Sequence, residues 1–127
     1  MLSVTKQFSF CYGHHLPGYS GRCKTQHGHN STVEVEITNF GAIGYPGMVV
    51  DFSIVKQIAG EIVDQLDHQN LNELGFIEGN PTAENIVMWV VGQIKKTEIG
   101  PGLVRVRMTE TPTSWAEWKE DKYASRA

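Results

Sequence analysis

The chain lacks several features that would place it in common classes. Two cysteines in 127 residues, Cys11 and Cys23, are too few for a disulfide framework. No basic run or stripe exists, and 11 Lys and Arg against 14 acidic residues leave a net charge of −3, so nothing in the charge points to nucleic acid. No apolar run approaches the roughly 20 residues of a membrane span, and residues 1–7 carry no apolar signal core. The expectation is a cytoplasmic protein with both thiols free and neither membrane nor nucleic acid as partner. An anionic ligand would have to be met locally, as by Arg22 and Lys24.

What remains is ordinary globular composition: 40% hydrophobic and 20% charged residues. This length is one domain, 1–127, able to bury a core without staples. Residues 2–12, rich in Val, Phe, Thr and Tyr, read as a strand leading to His14-His15, and 16–26 as a loop. From His29 to Thr38, Val33, Val35 and Ile37 alternate with Glu34 and Glu36, a half-buried strand. Met48–Phe52 reads as a short returning strand. A helix is predicted from about Ser53, its stripe running through Ile54, Ile58, Ile62 and Leu66. Asn80-Pro81-Thr82 opens a second helix with apolar face Ile86, Val87, Val90 and Ile94. Leu103–Met108 and Trp115–Trp118 read as closing strands, and residues 119–127 as a loose tail. Apart from the short strand, the order is β-β-α-α-β-β, an α+β layer with two helices on one face of an antiparallel sheet.

The five histidines fall in three short stretches: His14-His15, His27-Gly-His29 and Asp67-His68. On a strand His27 and His29 share a face, and parity puts that face on the side of Val33 and Val35. Buried imidazoles need partners. A zinc ion would supply one, with His14 or His15 as third ligand and a position left open, the form of a catalytic site. The plainer alternative is a turn with two surface histidines. Cys23, four residues before His27 and flanked by Arg22 and Lys24, is a candidate thiolate, its rival roles being a fourth ligand or an inert apolar residue. Cys11, inside an apolar strand, reads as packing. Asp67 beside His68 could tune a proton donor, or His68 could simply cap the helix. Glu110, ending an apolar strand, could accept two N–H groups of a pterin or guanine ring, or lie exposed.

Phe10-Cys-Tyr-Gly-His14-His15-Leu16, Cys23-x-x-x-His27-Gly-His29, Val50-Asp51-Phe52, Leu66-Asp67-His68-x-x-Leu71-Asn72, Asn80-Pro81-Thr82-x-Glu84 and Glu110-Thr111 occur in this order. Six motifs in register along nearly the whole chain resemble the family of 6-pyruvoyltetrahydropterin and 6-carboxytetrahydropterin (QueD-type) synthases. The resemblance implies a tunnelling fold (T-fold), three subunits closing a trimeric β-barrel, two trimers stacking into a homohexamer, and sites between subunits. It implies Zn²⁺ on His14, His27 and His29, with Cys23, Asp67 and His68 moving protons. Glu110 would anchor the pterin, with Thr109 and Phe52 as further substrate-binding residues. The implied substrate is 7,8-dihydroneopterin triphosphate. Three residues between Cys23 and His27 resemble the QueD type, a zinc-dependent lyase making 6-carboxytetrahydropterin for queuosine biosynthesis. The pyruvoyl type or a non-catalytic pterin- or purine-binding module are the alternatives. Where the family usually has small residues before the first histidine and Arg after it, this chain has Cys11, Tyr12 and Gly13 before His14 and His15 after it.

Overall fold

The computed structural model describes residues 1–18, 27–41 and 45–121. β1 (Ser3–His14) pairs antiparallel with β2 (His27–Thr38), β2 with β4 (Leu103–Thr111), and β4 with β5 (Ser114–Lys119). A two-residue β3 (Gln69–Asn70) adds to β1 in parallel, giving the order β3-β1-β2-β4-β5. Alternation explains the burial. Val33, Val35 and Ile37 are fully buried, and across the register Val106 and Met108 join them. The opposite face carries charge: Arg105 reaches Glu36 (2.7 Å), Glu117 (3.2 Å) and Glu34 (3.4 Å).

Helices α1 (Phe52–Asp64) and α2 (Ala83–Lys95) contribute to the same core as the sheet's apolar face. Helix α1 packs on β1, and Gly60 lets the Phe8 ring approach within 3.5 Å of where a Cβ would stand. Helix α2 packs on β4 and β5 through Ile86, Val90 and Ile94, all fully buried. The expected α+β layer is present, and no described helix is long and apolar enough to cross a membrane.

Several sequence-based boundaries move. Strand β1 runs on to His14 and β2 begins at His27, so His14, His27 and His29 all lie within the sheet. The expected strand at Met48–Phe52 does not form. Val49 and Val50 are buried in a connection, and Asp51 commits the chain to α1 by accepting from the Ser53 N–H at 2.8 Å. Lys119, assigned to the tail, belongs to β5, while 122–127 lie outside the described residues. Cys11 is exposed rather than packed, because its odd position in β1 puts it on the face away from Phe10 and Tyr12.

Candidate metal centre and active site

Strand register builds the site. His14 stands opposite His27 and Tyr12 opposite His29, so the imidazoles of β1 and β2 meet on the core face. Parity along β4 carries Val106 and Met108 onto that face, and Glu110 is the next residue in the series. The outcome is a cluster of His14, His27, His29 and Glu110 whose ligand atoms lie within 4.8 Å of one another. The three rings contact edge-on at centroid distances of 4.4, 4.8 and 4.9 Å. Glu110 Oε1 is 3.3 Å from His14 Nε2 and 3.2 Å from His29 Nε2, and the two imidazole nitrogens are 3.1 Å apart.

Proton placement shows what this arrangement lacks. The Pro81 carbonyl only accepts, so His14 Nδ1, 2.7 Å away, is the donor. Burial holds the His14 pKa below its ordinary value, against the opposing pull of the Pro81 carbonyl, so the ring is neutral and Nε2 bears a lone pair. That lone pair faces a carboxylate oxygen at 3.3 Å. His29, also held low by desolvation, can donate to one of these acceptors but not both. A cation among them resolves the conflict. Ligands 2.0–2.2 Å from a tetrahedral zinc stand roughly 3.3–3.6 Å apart, close to the spacings among His14, His29 and Glu110, with His27 inside the 4.8 Å limit of the cluster. Three imidazoles and a carboxylate, with Pro81 fixing one tautomer from behind, suit zinc.

The other predicted site residues divide. Asp67 Oδ1 accepts the Cys11 backbone N–H at 2.9 Å, and the His68 N–H donates to the Cys11 carbonyl at 2.6 Å. These bonds dock the segment that follows α1 on the edge of β1. The first also holds the Asp67 carboxyl below its usual range, helped by the His68 ring, whose Nδ1 is 3.0 Å away. His68 has φ of 58° and is 78% exposed. It is not in the cluster, yet it lines a cleft of about 470 Å³ with His27, His29 and Cys11, above the facing pair Gly13 and Gly28. Thr109 faces away from Glu110, its hydroxyl bonded to that of Thr32. Phe52, half exposed at the start of α1, lines neither this cleft nor the groove beside Glu110. Cys23, Arg22 and Lys24 lie outside the described residues. Among its contacts, His15 has its backbone clamped by Asn72, which accepts its N–H at 2.9 Å and donates to its carbonyl at 3.0 Å.

Two participants escaped the sequence reading. Glu110 as a member of the histidine cluster was available from parity with Met108. Pro81 was not, since nothing local ties a helix-opening proline to a histidine 67 residues away.

Comparison with known proteins extends this. The family model described as 6-pyruvoyl tetrahydropterin synthase matches residues 3–121. The 6-carboxy-5,6,7,8-tetrahydropterin synthase of Synechocystis sp. is 36% identical over 93% of each chain. Its counterpart in Haemophilus influenzae is 31% identical over 94% of this chain and 100% of its own. The solved Caenorhabditis elegans 6-pyruvoyl tetrahydropterin synthase superposes with a TM-score of 0.80 at 26% identity, covering 94% of this chain and 95% of that one. Matched by that family model over nearly its whole length, the chain belongs to the 6-pyruvoyl tetrahydropterin synthase family of pterin synthases.

Proposed function

We propose that the protein is a zinc-dependent 6-carboxy-5,6,7,8-tetrahydropterin synthase, converting 7,8-dihydroneopterin triphosphate to 6-carboxytetrahydropterin with release of acetaldehyde and triphosphate, on the route to queuosine. The carrying observation is the approach of His14 Nε2 to the Glu110 carboxylate beside two further imidazoles, with Nδ1 committed to the Pro81 carbonyl. His14, His27 and His29 would hold the zinc. Bound there, the metal supplies Lewis acidity toward the substrate's side-chain hydroxyls. Cys23 moves protons as thiolate, and His68, oriented by Asp67, returns them. Glu110 accepts the paired N–H groups of the pterin; Thr109, whose side chain faces away, would contribute through its backbone, and Phe52 from a neighbouring subunit. The 6-carboxy product is favoured by the three-residue gap between Cys23 and His27 and by the names of the two bacterial relatives.

The working form is a homo-oligomer, a trimer closing a barrel and stacking into a hexamer in the cytoplasm. Two features support it. Among the described residues, most of β1 lacks a strand partner on the side that β3 covers at Tyr12 and Gly13 alone, and the outer edge of β5 is unpaired. Head-to-tail pairing of such edges closes a ring. His68 is exposed at the sheet edge outside the cluster, as expected of a group completing a neighbour's site.

The test is incubation with dihydroneopterin triphosphate and mass analysis of the pterin. A 6-carboxy product supports the proposal. A pyruvoyl product would favour the second reading, for which the family model and the C. elegans structure speak. Unchanged substrate from zinc-loaded protein would leave a binding module.

A further inference from the structure

The phenol of Tyr12 is a buried group at the centre that the reading above leaves unused. Tyr12 is 3% exposed, stacked on Phe10 at 5.3 Å and tilted against His29 at 5.4 Å. Its Oη is buried with no hydrogen-bond partner among the described residues, the Ser31 hydroxyl being close but not aligned for a bond. A phenol is a neutral O–H donor near pH 7, so this buried group is a donor without an acceptor. Leaving such a donor unsatisfied is costly, and a buried group of this kind calls for a functional explanation. Its ring lies against His14 at 5.1 Å and His29 at 5.4 Å, the same two imidazoles to which the Glu110 carboxylate is now turned.

With Glu110 among them, the donors number four. That fills a tetrahedral site, whereas a catalytic one keeps a position for substrate. We propose that Glu110 is a displaceable fourth metal ligand, and that Tyr12 Oη is the donor that receives its carboxylate when a substrate hydroxyl enters the cluster. A carboxylate has lone pairs enough to accept from Tyr12 and from the N–H pair of a pterin together. Tyr12 is thus a positioning residue, holding Glu110 toward the ring and away from the histidines. The inference rests on the metal-dependent reading above.

Cobalt-loaded protein and competition against a chromophoric chelator separate the two. Neopterin, a pterin with a hydroxylated side chain, serves as the unreactive probe. Glu110→Gln should weaken zinc binding at least 10-fold and alter the cobalt visible spectrum. Neopterin should alter the spectrum of the unmodified protein in a similar direction. Tyr12→Phe should keep the ligand-free spectrum and zinc affinity within twofold, yet bind neopterin about 5- to 10-fold more weakly. Circular dichroism checks that each variant is folded. Unchanged zinc affinity and spectrum in Glu110→Gln, a spectrum indifferent to neopterin, or full neopterin affinity in Tyr12→Phe would each overturn the proposal. Failure of the unmodified protein to bind zinc or cobalt would instead remove the metalloenzyme reading beneath it.

Discussion

His14 donates from Nδ1 to the Pro81 carbonyl at 2.7 Å, and this single bond ties the metal cluster to the start of α2. The Thr82 side chain caps that helix by accepting from the Asn85 N–H at 3.2 Å. Replacing Thr82 with Ala should therefore act twice. Loss of the cap costs about 1 kcal/mol in urea unfolding. Loosening of the Pro81 carbonyl should lower zinc affinity roughly 10-fold, the lower end of what outer-shell partners contribute. His14→Ala should abolish tight zinc binding, read by chelator competition at fixed pH.

Asp67→Asn tests the proton relay. The amide keeps an oxygen for the Cys11 N–H but loses the charge beside His68. Turnover of dihydroneopterin triphosphate should fall about 100-fold, the scale of general acid–base catalysis. The pH–rate profile should move, with zinc content unaltered. An unchanged profile would leave Asp67 a purely structural tie.

Acid should weaken the outer face of the sheet. Burial alone would raise the Glu36 pKa, but the Ser3 hydroxyl and the Arg105 guanidinium outweigh it and hold it below the ordinary 4.5. A carboxylate depressed in the folded state contributes its stabilisation above the unfolded value. It loses that stabilisation as pH falls through the folded one. Urea unfolding should thus show less stability below about pH 4.5, and Glu36→Gln should flatten that decline. The difference should stay near 1 kcal/mol or less, since the pair is partly solvated.

Removing the metal should not unfold the chain. The core of Val35, Ile86, Val90 and Met108 is assembled from strands and helices without the cluster. Chelator treatment should leave the far-ultraviolet dichroism largely intact, while Ile86→Ala, a fully buried truncation, should cost about 2–5 kcal/mol. Collapse of the dichroism on chelation would mark a structural zinc instead.

How legible these features are depends on whether their cause is local. The alternation of Val33, Val35 and Ile37 gave β2 its buried face and, by parity, the aim of His27 and His29. Periodicity likewise found both helices. It misread Val49 and Val50, because two buried apolar residues look alike in a strand or in a connection. It missed β3, since two residues laid parallel on β1 have no period to detect. It misplaced Cys11, for which neighbouring Phe10 and Tyr12 suggested burial although alternation turns the thiol outward. Nothing along the chain announced Pro81 or the stranded Tyr12 hydroxyl, because both depend on contacts across the sheet or with a distant helix.

His14 faces His27 across an unbroken ladder from Ser3↔Thr38 onward. The chemistry therefore inherits its aim from backbone counting rather than from any one side chain. Deleting a single residue between Phe10 and His14 would rotate the imidazole half a turn to the outside, even with every ligand still encoded. Drift in such a lineage is free to exchange neighbouring residues but barred from changing their number, so length conservation in this hairpin should outlast identity.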